Sequence, residues 1–141
     1  MTIQKASRNE LNDAARLAQL LWPGYDSDEM APLLEDPEAA VFLCYSDGAA
    51  IGFAQCQLRH DYVEGCDTSP VGYLEGVYVV KDHRRQGVAR ALVAACQTWA
   101  REQGCQEFAS DCELDNTGSL RFHLGIGFEE ANRVICFIKR L

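Results

Sequence analysis

The chain has 141 residues, 48% of them hydrophobic and 24% charged, with a formal net charge of −8. That length suits one domain over residues 1–141, large enough to bury a core without disulfide or metal staples. The acidic balance argues against a nucleic-acid partner, no apolar run approaches the ~20 residues of a membrane helix, and the N-terminal residues lack a signal peptide's apolar core, so a cytoplasmic protein with no membrane partner is expected.

Residues 2–6 read as a short strand. Ser7-Arg8-Asn9-Glu10 has the form of a capping box, and behind it Leu11, Ala14, Ala15, Leu17, Ala18 and Leu21 recur at helical spacing as far as Trp22. Pro23-Gly24 stops that helix. Residues 26–36 read as a second, acidic helix cut by Pro37. Val41 to Tyr45 form a buried strand, Ser46-Asp47-Gly48 a turn, and residues 50–59 the second arm of the hairpin. The loop 60–70 leads into a long apolar strand over 72–80, where Gly76 marks a bulge or a close backbone approach. The basic loop Lys81 to Gln86 precedes a helix from Gly87 to Gly104. A strand over 105–111, a helix from Asp115-Asn116 to about Gly125, and a last strand over 133–140 complete the chain. The order predicts a mixed α/β domain with a β-α-β crossover.

The seven cysteines are odd in number and lack C-x-x-C spacing, which argues against a disulfide framework and a zinc site. Reduced, mostly buried thiols are expected. His60, His83 and His123 show no metal-ligand spacing, so no metal is expected.

The strand–turn–helix over 72–103 is the most informative stretch. The first amides of a helix lack intrahelical partners, and the helix dipole adds positive charge there, so a basic turn at that point binds anions such as phosphate. Gly87 permits close backbone approach, Ala89 is small, and Arg84, Arg85 and Arg90 add charge. The turn has neither the G-K-[ST] of a P-loop nor the G-x-G-x-x-G of a dinucleotide fold.

Arg84-Arg85-Gln86-Gly87-Val88-Ala89 instead has the form [QR]-x-x-G-x-[GA]. With Leu74 to Val79 before it and Asn116 and Gly127-Phe128 after it, it resembles the cofactor motif of the GCN5-related N-acetyltransferase (GNAT) superfamily. That implies a GNAT-type domain with acetyl-CoA as co-substrate, a mostly antiparallel twisted sheet and a bulged strand. Leu21-Trp22-Pro23-Gly24, Arg59 to Val63, Gly65 to Val71, Phe108-Ala109-Ser110-Asp111, Asp115-Asn116 and Gly127 to Glu130 further resemble aminoglycoside 6'-N-acetyltransferases. The resemblance runs essentially end to end. It places Trp22, Tyr62, Glu75 and Asp111 at the aminoglycoside site. It places Val77, Tyr78, Val79, the turn from Arg84 through Gln86 to Arg90, and Asn116 at the acetyl-CoA site. An acidic substrate contact of the family aligns with Asn132, which loses a negative charge. The resemblance also implies a homodimer, with the last strand exchanged as one option.

The residue chemistry agrees with this mapping. Aminoglycosides are polycations, so carboxylates suit their pocket, while Trp22 and Tyr62 offer flat faces for sugar rings. Trp22 as a core residue and Asp111 as a helix cap remain open. Glu75 is the candidate base; an ordinary Glu titrates near ~4.3, so burial has to raise it. A bulge at Gly76 frees the amide of Val77 or a near neighbour to stabilise the oxyanion. His123 occupies the place of a tyrosine that protonates the leaving thiolate in many superfamily members, or is a packing residue. Direct transfer is favoured over a covalent route through Cys66 or Cys112, since no histidine lies near either in sequence. Acetylation of another small amine, a polyamine or a peptide N-terminus, and a non-catalytic CoA- or partner-binding module, are the alternatives.

Overall fold

A computed structural model describes residues 1–141. The elements are β1 (Thr2–Lys5), a 3-10 turn at Arg8–Glu10, α1 (Leu11–Leu21), α2 (Ser27–Glu35), β2 (Ala39–Ser46), β3 (Ala49–Arg59), β4 (Val71–Val79), a 3-10 turn at Lys81–His83, α3 (Val88–Glu102), β5 (Phe108–Ser110) and α4 (Thr117–Gly125). The capping box forms: the Ser7 amide donates to the Glu10 carboxylate over 2.9 Å.

The five strands lie in the order β1-β2-β3-β4-β5, antiparallel except for the parallel β4–β5 pair. Helices cover both faces, which is why β2 and β3 are apolar on successive residues rather than alternating. On one face α1 and α2 bury Ala14, Leu17 and Met30 against Val41, Leu43 and Phe53. On the other, α3 buries Leu92, Cys96 and Trp99 against Cys44, Ala54, Cys56 and Leu74. Each fully buried Leu, Phe or Met contributes roughly 1.5–3 kcal/mol relative to exposure.

Two expectations need correction. The bulge falls on Glu75, not on Gly76: Gln55 opposes Gly76 and Cys56 opposes Leu74, so Glu75 is the unpaired extra residue. One extra residue flips every later side chain to the other face. Before the bulge Leu74 points to α3; after it Val77 and Val79 do, while Tyr78 packs with the α1 and α2 cluster. Gly76 supplies the close approach instead. A Cβ there would lie 2.4 Å from Trp22 Cζ2, so only glycine leaves room for the indole.

The last strand, expected over 133–140, does not form within the chain. No strand takes in residues 128–141, and Val134, Ile135, Phe137 and Ile138 are exposed, Phe137 at 91%. A strand needs a neighbouring edge to satisfy its backbone, and this segment pairs with none of the five strands of its own chain. All seven cysteines are free. Cys44, Cys56, Cys96 and Cys105 are buried, Cys66 is half-buried, and Cys112 and Cys136 are exposed.

Candidate functional site

The site is built where β4 and β5 part. Only Gly72, Tyr73 and Leu74 of β4 pair with β5, so residues 75–79 have a partner strand on one side alone. The direction of their backbone groups follows from the register. The Val80 amide donates to the Ile51 carbonyl over 2.9 Å. Opposed residues of an antiparallel pair alternate between exchanging hydrogen bonds and not doing so. Tyr78 with Phe53 and Gly76 with Gln55 therefore bond across to β3, whereas the amides and carbonyls of Val77 and Val79 face the open edge. Arg84 Nε donates to the Val79 carbonyl over 2.9 Å, as that geometry requires.

The basic turn lies just beyond this edge. Gly87 (φ 78°) caps α3, and Arg85 also adopts a left-handed backbone (φ 62°). For a residue with a Cβ, that conformation costs about 1 kcal/mol, strain of a kind that clusters at ligand sites. The first backbone donor of the helix to find an acceptor is Ala91, bonded to the Gly87 carbonyl over 3.0 Å. The amides of residues 85–90 have no acceptor within the chain. Arg85, Gln86, Gly87 and Arg90 are exposed around them, with Ala89 half-buried, whereas Val88 is buried in the core below α3. Arg84 differs from expectation: its guanidinium folds back over the end of β4, 5.3 Å from the Tyr78 ring centroid.

At the other end of the open edge stands Glu75, its side chain 19% exposed. Arg59, at the end of β3, grips it in a fork: Nη2 donates to Oε1 over 2.8 Å and Nε to Oε2 over 3.1 Å. The same guanidinium lies 3.4 Å above the centre of the Tyr73 ring, and the Tyr73 hydroxyl donates to the Asp111 carboxylate. Burial and then that bond to Asp111 push the Tyr73 phenol well above its usual range. Glu75 and Asp111 are thus joined through Arg59 and Tyr73. Asp111 is no helix cap; that role falls to Asn116, whose Oδ1 accepts from the Ser119 amide over 3.1 Å.

Trp22 lies on Gly76, beside the bulge, and packs edge-on against Phe53 with ring centroids 5.8 Å apart. It is half-buried, a core residue on one side with part of its surface still accessible. Tyr62 is 79% exposed in the 60–70 loop, and the structure gives it no packing partner among the other site residues. Asn132 Nδ2 donates to the Glu64 carboxylate, so a carboxylate remains beside the position where the sequence loses one.

His123, on α4, is tied at both ring nitrogens: Nδ1 lies 2.7 Å from the Ser119 carbonyl and Nε2 lies 2.8 Å from Ser110 Oγ. Ser110 Oγ is also 3.2 Å from the Leu74 carbonyl, the last residue before the bulge. A carbonyl only accepts, so Nδ1 carries a proton. Ser110 Oγ stands between the His123 ring and the Leu74 carbonyl, within hydrogen-bond distance of both. Burial raises the Cys66 thiol above its usual range, and the nearby Glu107 and Asp67 add to this, the reverse of what activates a nucleophile.

Arg59, Tyr73 and Ser110 were missed by sequence reasoning. Arg59 stood in the sequence beside a recognisable loop, but its pairing with Glu75 depends on the β3–β4 register across a bulge. No short-range pattern encodes that.

Residues 8–128 match the acetyltransferase (GNAT) family. Aminoglycoside N(6')-acetyltransferase type 1 of Salmonella typhimurium is 44% identical over 99% of both chains. The protein of the same description from Stenotrophomonas maltophilia is 49% identical over 89% of this chain and 86% of its own. Among solved structures, AAC(6')-Iy in complex with the bisubstrate analogue CoA-S-monomethyl-acetylneamine superposes with a TM-score of 0.94 at 42% identity, covering 99% of this chain and 98% of that one.

Proposed function

The chain belongs to the acetyltransferase (GNAT) family, and from that membership we propose that it transfers the acetyl group of acetyl-CoA to the 6'-amino group of aminoglycosides by direct attack of the amine. The observation that carries the transfer chemistry is the unpaired half of β4, set between a run of acceptor-free amides at residues 85–90 and the carboxylate of Glu75. The amine and the class of substrate rest on the relatives, named aminoglycoside N(6')-acetyltransferases, and on the AAC(6')-Iy complex with its CoA-linked aminoglycoside analogue.

The residues present fit acetyl-CoA. The amides of 85–90, with Arg85, Gln86 and Arg90, suit its pyrophosphate. The outward amides and carbonyl of Val77 and Val79 offer a strand edge to its amide-bearing arm, beside the Tyr78 backbone that bonds to β3. Bound acetyl-CoA supplies the thioester carbonyl. The Val77 amide, fixed and outward, donates to that oxygen as negative charge develops. Glu75, directly or through water, accepts the proton that the ammonium must lose before it attacks. Arg59 has to yield its hold on Glu75 for this. His123 supplies a proton to the leaving sulfur, with Ser110 Oγ as the group between its Nε2 and β4. Asn116 supports the cofactor site by capping α4. Trp22, Tyr62, Asp111 and Asn132 bind the sugars and their ammonium groups, and residues 1–141 act as one domain.

The protein works as a homodimer in the cytoplasm. The exposed Val134, Ile135, Phe137 and Ile138 are a strand in search of an edge, which a second copy supplies. Seven free thiols suit a reducing compartment, and the net charge of −8 suits cationic substrates rather than nucleic acid or membrane.

Mass spectrometry of kanamycin incubated with the protein and acetyl-CoA tests the reaction. A gain of one acetyl group is expected, and none for an aminoglycoside with a 6'-hydroxyl. Absence of any gain at saturating acetyl-CoA rejects the antibiotic reading in favour of another amine. Light scattering gives the assembly: a monomeric mass at micromolar concentration rejects the dimer.

A further inference from the structure

Glu75 faces a puzzle of supply. A polycationic substrate has to bring an ammonium to this carboxylate, yet both carboxylate oxygens already accept hydrogen bonds from Arg59. The arginine is not a loose surface side chain. Its guanidinium is forked on Glu75 and stacked at 3.4 Å on Tyr73, whose hydroxyl is bonded to Asp111. We propose that Arg59 is a resident cation of the substrate site, a specificity-determining residue that excludes amines unable to replace its contacts at Glu75 and to gain Asp111 as well. This rests on the aminoglycoside reading and names the feature of the substrate that the site selects.

The physical argument is one of exchange. A planar guanidinium makes two parallel charge-assisted bonds to a carboxylate and a cation–π contact to a ring at once. A single ammonium offers point-like charge and rotatable donors. At Glu75 alone it trades a fork and a stacked face for fewer directed bonds, a net loss. A substrate with several ammonium groups reaches Asp111 in the same event. Asp111 accepts a neutral hydroxyl from Tyr73 and forms no direct ion pair, although Arg59 stands near enough to feel its charge, so there the incoming ammonium meets a carboxylate with no cation bonded to it. The gain at Asp111 offsets the loss at Glu75. Arg59 thus acts as a competing element against monoamines, in the way specificity is often built.

The test compares kanamycin with methyl 6-amino-6-deoxy-glucoside, which carries the same reacting amine on the same ring and no other. Wild type, Arg59→Gln and Arg59→Lys are assayed for kcat and KM with both amines, and for binding of both by calorimetry in the presence of CoA. Arg59→Gln is expected to raise the monoamine-to-kanamycin ratio of kcat/KM by about fivefold, chiefly through a lower KM for the monoamine. Arg59→Lys keeps the charge but loses the fork and the stacking, and falls between. A ratio that stays within about twofold of wild type, or an equal loss on both amines, overturns the proposal. If Arg59→Gln does not fold, the same criterion is applied to Arg59→Lys. If wild type acetylates neither amine, the antibiotic reading has failed, and the calorimetric ratio between the two amines still decides the role of Arg59.

Discussion

The two halves of β4 are made of similar residues and do different work. Val71 to Leu74 are buried, and Gly72 to Leu74 have partner strands on both sides, whereas Glu75 to Tyr78 are only half-buried, and Gly76 to Tyr78 have a partner strand on one side alone. The first half closes a small core with Val63 and Val71 around Tyr73. The second half exposes the backbone of Val77 and Val79 along an open edge. Between them stands Glu75, the extra residue, whose insertion flips the side-chain parity and lets Trp22 descend onto Gly76. A strand can therefore be scaffold and site at once, provided its partner leaves at the right residue.

If the open half carries the chemistry, damage there should exceed damage elsewhere. Glu75→Gln is expected to lower kcat/KM by about a hundredfold or more, with CoA binding measured by calorimetry unchanged. Turnover equal to wild type rejects Glu75 as the base. Gly76→Ala comes next. The added methyl meets Trp22 and Leu21 at 2.4–2.8 Å, so about 1–3 kcal/mol of stability and a raised KM for kanamycin are expected from urea unfolding and steady-state kinetics.

Gly87→Ala sharpens the contrast from the other end. Nothing lies within 4 Å of a Cβ there, but φ is 78°, so only backbone strain is added. A loss of about 1–2 kcal/mol in folding or CoA affinity is expected. An unchanged dissociation constant and midpoint would show that the turn tolerates a Cβ and is not a tightly shaped phosphate cradle.

The smallest effect belongs to the closed half. The Tyr73 phenol is raised in the folded chain above its unfolded value near ~10, first by burial and then by Asp111. A raised folded value means its contribution is whole below about pH 10 and is lost as pH climbs from there towards the folded value. Tyr73→Phe should flatten the alkaline decline in melting temperature and leave neutral turnover within a few fold. A decline as steep as wild type assigns the alkaline loss to other groups.

Much of this was open to reading before the fold was known. The Ser7 to Glu10 cap, the α1 stripe, the hairpin and the turn at 84–89 are local features, carried by residues within one or two turns of one another. The helix at Asn116 was legible for the same reason. A glycine inside the apolar strand is compatible with a bulge or with a close approach, and Gly76 serves only the second: the bulge belongs to Glu75.

What the amino-acid order determined by itself was the chemistry available and the anion-binding turn, because caps, glycines and helix-terminal amides act over a few residues. What only the tertiary structure decided was which side chains meet. The grip of Arg59 on Glu75, the bond from Tyr73 to Asp111 and the bridge from His123 through Ser110 to Leu74 all join separate elements. Each depends on strand register, and one extra residue in β4 resets that register for everything after it. The segment 133–140 marks the same limit from the other side. Its residues are those of a strand, but a strand forms only when it pairs with another, and this segment pairs with none of the five in its own chain.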